Sequence, residues 1–198
     1  MKKVKAHAKV RKNLYIHNDI DQSAFYFRQR IEERAAKDDR DGIGQEMMAC
    51  LILLTFSVEA KFNFLGHKLI DGWKEREPFL KKVKAVRKHL GVNSSFKERP
   101  YEAIKVLKEF RDTLAHGKPD EVEWEGDITA TEKEIQEQGR LRAGYEAFLK
   151  EEFVFQAYDD VEAIWKDLIE RSGLNIADTI TQGGIEYSFI AEAGGKSE

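Results

Sequence analysis

The sequence predicts an all-α protein, a helical bundle of about five helices, and three observations lead there. Apolar residues recur at three- and four-residue steps in several separate stretches, which lines one face of a helix in each. Proline and glycine punctuate the ends of those stretches, as at Pro78, Gly91, Pro100, Gly117 and Gly173. The composition, 41% apolar with 35% charged, suits helices with a buried stripe and a solvated face.

A chain of 198 residues fits one domain and can bury a substantial core. Its organisation reads as a basic arm over 1–18, a helical domain over 19–190 with an acidic insertion at 119–142, and a loose tail at 191–198.

The first helix is expected from Asp19 to Lys37, capped by Asp19 or Asp21, with Ala24, Phe27, Ile31 and Ala35 on one stripe. The second runs from Ile43 to about Ile70 and is apolar around most of its circumference, which predicts the hub of the bundle or a buried dimer interface. Along it, Thr55, Glu59, Asn63 and His67 recur every four residues on one face. A carboxylate in such a setting requires a partner. The third helix, over 78–90, turns Phe79, Leu80, Val83, Val86 and Leu90 inward and is expected to turn Lys81, Lys82, Lys84, Arg87 and Lys88 outward as a phosphate-tracking face.

The fourth helix starts at Pro100, buries Ile104, Leu107, Phe110 and Leu114, and stops before Gly117, which suits a left-handed residue, and Pro119. Beyond it, residues 120–131 alternate apolar and acidic types, leaving room for a short extended or hairpin excursion. A surface helix over about 131–150 and an amphipathic helix from Phe153 to Arg171 follow, and 174–190 are apolar enough to dock.

Charge divides the chain. Residues 1–118 carry 26 Lys+Arg against 16 Asp+Glu, and the remainder carries 7 against 20. A basic amino-terminal portion suits an anionic partner such as RNA, while attraction between the two halves within one fold accounts for the same pattern. Cys50 is the only cysteine, so no intrachain disulfide and no cysteine-based zinc site can form, and a reducing cytoplasm is the expected setting. The basic start is not followed by an apolar segment of the secretory kind, and the most apolar run, Met47 to Val58, is too short to span a bilayer. The five histidines show no recognised metal-ligand spacing, and no cofactor is expected.

The end of the fourth helix carries the candidate chemistry. Arg111 and His116 are separated by four residues, with Asp112 after the arginine and Ala115-His116-Gly117 closing the string. This resembles the R-x(4–6)-H signature of HEPN domains, the "higher eukaryotes and prokaryotes nucleotide-binding" helical family. The resemblance implies a homodimer whose two motifs form one composite cleft, and metal-independent endoribonuclease activity in a toxin, phage-defence or RNA-processing system. It makes Arg111 and His116 the catalytic pair, with Asp112, one turn before His116 and so placed to orient it, Glu59, with Arg111 as its candidate partner, and Asn63 supporting them, and adds Lys118 to the basic residues of the third helix as RNA contacts. RNA and an antitoxin or other regulatory protein are the partners it suggests. A HEPN subset carries Tyr two residues after the histidine; Lys118 stands there in this chain. The alternative is a non-catalytic module of the same shape that binds a nucleotide, RNA or a protein.

Overall fold

A computed structural model describes residues 4–117, 121, 123, 125–127, 129–132, 135 and 143–190. In chain order its elements are β1 (Ala6–Asn13), α1 (Ile16–Ala35), α2 (Ile43–Leu69), α3 (Phe79–His89), α4 (Glu102–Ala115), α5 (Glu151–Ser172) and β2 (Gln182–Phe189). Short 3-10 turns at Gly144–Phe148 and Ile176–Thr179 precede α5 and β2.

The hub is α2, because apolar residues take up most of its circumference. α1, α3, α4 and α5 all pack on it, and Leu51, Leu54, Phe62 and Leu65 are buried among them. Each such side chain contributes about 1.5–3 kcal/mol by leaving water. The apolar helix continues well past the twelve-residue run that had argued against a span, and over 18 residues its mean hydropathy is 1.5. Length and composition would let it cross a bilayer, yet 56% of that window is buried inside the bundle, as the core helix of a globular domain is.

Polar groups tie the helices where apolar packing alone would let them slide. Buried Lys61 on α2 pairs with Asp21 of α1 at 2.7 Å and Glu162 of α5 at 3.1 Å. At the start of α4, the Tyr101 hydroxyl donates to Asp167 of α5 at 2.8 Å, and the Arg99 Nε faces both oxygens of Asp160 at 3.0 and 2.9 Å.

The chain is mostly helical but not all-α. The segment expected as a basic arm is β1, paired antiparallel with β2 from Ala6↔Phe189 to Asn13↔Gln182. Tyr15 N donates to the Thr181 hydroxyl at 3.1 Å, and Asn18 Nδ2 to the Thr179 carbonyl at 2.9 Å, so this ribbon is fastened at the start of α1. α1 therefore begins at Ile16, earlier than the aspartates that looked like its cap.

Two helix ends also differ from expectation. α4 starts at Glu102 rather than Pro100. At its other end His116 closes the last turn with φ −108° and ψ 22°, and among the described residues the left-handed glycines are Gly42, Gly72, Gly91 and Gly173, not Gly117. Lys118, part of the expected excursion and residues 133, 134 and 136–142 of the expected surface helix lie outside the described residues; the described residues of 120–131 form no strand, and Gly144–Phe148 is a 3-10 turn.

Candidate functional site

The approach of α2 to α4 is set one turn before the motif. The buried Thr55 hydroxyl donates to the Leu51 carbonyl at 2.8 Å and lies 3.3 Å from the Leu107 carbonyl of α4. One turn further on each helix stand Glu59 and Arg111, and they meet: Arg111 Nη1 donates to Glu59 Oε2 at 3.1 Å. The neighbouring Phe110 is buried against the Phe148 ring, which holds this part of α4 down on the core.

Arg111 is held from a second side by Asp112, whose Oδ1 accepts from Nε at 3.1 Å and from Nη2 at 2.8 Å. Lys108 donates to the other oxygen of Asp112. These contacts, the Lys108 hydrogen bond most and the Arg111 one after it, hold the Asp112 carboxyl below the usual carboxylate range. The Phe79 ring of α3 lies 5.9 Å from the guanidinium.

Glu59 takes a second cation. Buried Lys82 of α3 donates to Glu59 Oε1 and to the Glu75 carbonyl, the latter at 2.9 Å. The result is a chain of alternating charge, Lys82–Glu59–Arg111–Asp112–Lys108, with one positive charge in excess. Of the five guanidinium N–H groups of Arg111, these contacts engage three, leaving two among the described residues for an anion. That arrangement fixes the plane of the guanidinium and presents it, about one-quarter exposed, at the surface.

His116 sits one turn beyond Asp112 and donates its backbone N–H to the Asp112 carbonyl at 3.0 Å. Its side chain is exposed, and among the described residues no hydrogen bond or ion pair reaches the ring. Asp112 therefore does not orient the imidazole, as its one-turn spacing had suggested, because Lys108 and Arg111 occupy its carboxylate. Asn63, a turn past Glu59, is not drawn into the charge chain; its Oδ1 is buried with no hydrogen-bond partner among the described residues.

Two of the cations expected to face RNA point inward. Lys82 is 3% exposed and serves Glu59, and Arg87 is buried between the rings of Phe96 and Tyr101, 4.1 and 4.7 Å from their centroids. Their positions follow the inner stripe of α3, three and four residues from Phe79, Val83 and Val86, so the helical period carried the signal while residue type pointed the other way. Lys81, Lys84 and Lys88 are exposed, Lys81 pairing with Glu77 at 3.4 Å. Among the described residues no cluster of three or more His, Cys, Asp or Glu is placed to hold a metal ion.

One feature had no sequence signal beyond its residue type. Buried His17 lies against Phe64 and Trp165, with ring centroids 4.7 and 5.4 Å away, and its Nε2 has no hydrogen-bond partner among the described residues. Burial, with Lys61 nearby, pushes its pKa down. With Glu59 and Asn63 it lines an open groove of about 510 Å³ between the start of α1 and the middle of α2. Glu59 thus belongs both to this groove and to the charge chain around Arg111.

Comparison of the chain with protein-family models, with curated proteins and with solved structures gave no match.

Proposed function

We propose that this protein is a metal-independent endoribonuclease whose reacting groups are Arg111 and His116, each site completed by a second copy. The observation that carries the reading is a guanidinium locked by Glu59 and Asp112 with two N–H groups to spare, on the helix that ends in an exposed histidine. The reaction is transesterification. The ribose 2′-OH attacks the adjacent phosphorus, the bond to the 5′-oxygen breaks, and a 2′,3′-cyclic phosphate and a 5′-hydroxyl result. One histidine removes the 2′-OH proton and another protonates the leaving oxygen. Arg111 binds the non-bridging oxygens and stabilises the charge that builds on the phosphorane.

A single chain supplies one such histidine on α4, which is why the reading calls for two copies in a two-fold arrangement. Lys84 and Lys88, exposed one turn apart on α3, supply sequence-independent attraction for the RNA backbone. A toxin, defence or RNA-processing role, with a regulatory protein that restrains the activity, fits a nuclease of this kind in a reducing cytoplasm.

The second reading, a non-catalytic RNA- or nucleotide-binding module, has its own observation in favour: the Asp112 carboxylate is turned to Lys108 and Arg111, leaving the His116 ring without an orienting partner. Cleavage of end-labelled single-stranded and structured RNAs in EDTA decides between them. The wild type should leave cyclic phosphate ends, and His116→Ala and Arg111→Ala should each lose about 10²–10⁴-fold in rate. Full activity in either variant removes that residue from the mechanism. RNA binding without cleavage by the wild type selects the module.

A further inference from the structure

The ribbon of β1 and β2 is amphipathic, a property set by its register. Residues directly opposite one another across a strand pair share a face. Pairing Ala6 with Phe189, Ala8 with Tyr187 and Val10 with Ile185 therefore puts six apolar residues on one side. The same register puts His7, Lys9 and Arg11 on the other, opposite Ser188, Glu186 and Gly184. Every residue of both strands is exposed in the single chain.

Such an element is hard to account for alone. Its strands come from distant parts of the chain, so no tight turn favours their pairing, and ordering each residue costs roughly 1–2 kcal/mol of backbone entropy. Two isolated strands are at best marginally stable in water and need a further layer on an apolar face.

Lys12, opposite Gly183, shares this side by the same register and interrupts it, and beyond Lys12 the apolar side resumes. Tyr15 N bonds to Thr181, so the chain stays extended and Leu14 falls in step with Val10. Leu14 and Ile16 are 67% and 62% exposed, and Phe56 on α2, across the groove, is 45% exposed. At the observed exposures, Val10, Ile185, Tyr187, Phe189, Leu14, Ile16 and Phe56 present on the order of 800 Å², the share each partner gives to a stable interface of standard size.

We propose that this face, apolar from the ribbon to the groove rim at Phe56 except at Lys12, is a self-association surface on which a second copy of this chain packs the same face about a two-fold axis. The area matches what a dimer needs, and a two-fold interface buries one patch against itself without a second kind of surface. Phe56 and Glu59 line the same groove, so the copy seated there lies beside the Arg111 charge chain. The choice of a second copy as occupant rests on the reading of Arg111 and His116 as half of a composite site. The basic side, with Lys9 and Arg11, is left facing solvent.

The test is sedimentation velocity on the full chain. The wild type should be dimeric at about 10 μM, and Ile185→Asp combined with Tyr187→Asp should be monomeric there, with the dimer Kd raised at least ~100-fold. Lys9→Glu, on the opposite side, should dimerise as the wild type does. A wild type that stays monomeric at about 100 μM, or a double variant that still dimerises, overturns the proposal. Binding of that monomer to vesicles or to another protein would name a different occupant.

Should the double variant fail to fold, single cysteines replace it. Oxidation should link copies through at least one of Ala6→Cys, Ala8→Cys and Val10→Cys, and not through Lys9→Cys or Arg11→Cys; Cys50 is buried and does not compete. Equal linking on both sides, or none, counts against the surface. RNA cleavage on the same samples separates the two ideas: a dimer of this kind that cuts nothing keeps the surface and loses the nuclease, and a monomer that cuts does the reverse.

Discussion

Lys82→Met removes one charge from the middle of the bundle while keeping an unbranched stem of similar length. In the wild type the ammonium is 3% exposed and divides its hydrogen bonds between Glu59 and the Glu75 carbonyl. A hydrogen bond to a charged group contributes about 1.5–3 kcal/mol. Glu59, however, is 27% exposed and keeps Arg111 as a partner, and the variant no longer has to bury an ammonium. The net loss should therefore be about 1–2 kcal/mol. For a domain of this size that lowers Tm by roughly 2–8 °C, since each kcal/mol corresponds to about 2–4 °C. Calorimetry measures the loss, and a double-mutant cycle with Glu59→Gln should return a coupling of about 1 kcal/mol. An unchanged Tm together with weaker RNA binding would mean that Lys82 works at the surface, as its place in a basic run suggested, and that the charge chain does not hold Arg111.

Two further outcomes follow from buried groups. His17 has its pKa lowered below 6.5 by burial and by Lys61, so the unfolded chain takes up a proton at a higher pH than the folded one. Its contribution to stability is complete above pH 6.5 and falls as the pH drops through the window between 6.5 and the lowered folded value. Urea midpoints from pH 7.5 to 5 should show this loss, and His17→Gln should lack its share; an identical pH profile in the variant would refute the assignment. Gly66→Ala would place a Cβ 2.2–2.4 Å from three ring atoms of Trp73. Overpacking at about 1–3 kcal/mol outweighs the better helix propensity of alanine, so thermal unfolding should show a net loss of about 1–2 kcal/mol with a change in Trp73 fluorescence. Wild-type stability would show that Trp73 moves aside at little cost.

Much of the helical scaffold can be read from the chain alone. The all-round apolar character of Ile43 to Leu69 identifies the hub, and the stripe through Phe155, Val161, Ile164 and Leu168, ended by Gly173, marks α5 within two residues. Both signals are local, because a helix repeats its buried positions every three or four residues and its stop depends on the next residue or two. The motif is local as well: Arg111 and His116 fall on one helix end by spacing, and the need of Glu59 for a cation follows from its apolar surroundings.

Arg111 was the candidate for that need, and it meets Glu59; that a second cation would join it was not legible, since it depends on α3 approaching α2. Tertiary structure added Lys82, and in doing so removed Lys82 from the basic surface where its neighbours had placed it. It also turned Asp112 toward Lys108 rather than His116. The ribbon is the clearest case. Residues 6–13 alternate Ala and Val with basic and polar types, a weak strand pattern that a charged, near-terminal context disguises as a loose arm, and the pairing exists only with β2, more than 160 residues away. The sequence by itself determined which stretches are helical, their ends within a few residues, and which apolar faces turn inward, because those choices are settled by nearest neighbours. The partners of buried charges and the pairing of distant strands were decided by packing, because an ion pair or a strand ladder forms only between groups that the fold has already brought within hydrogen-bond reach.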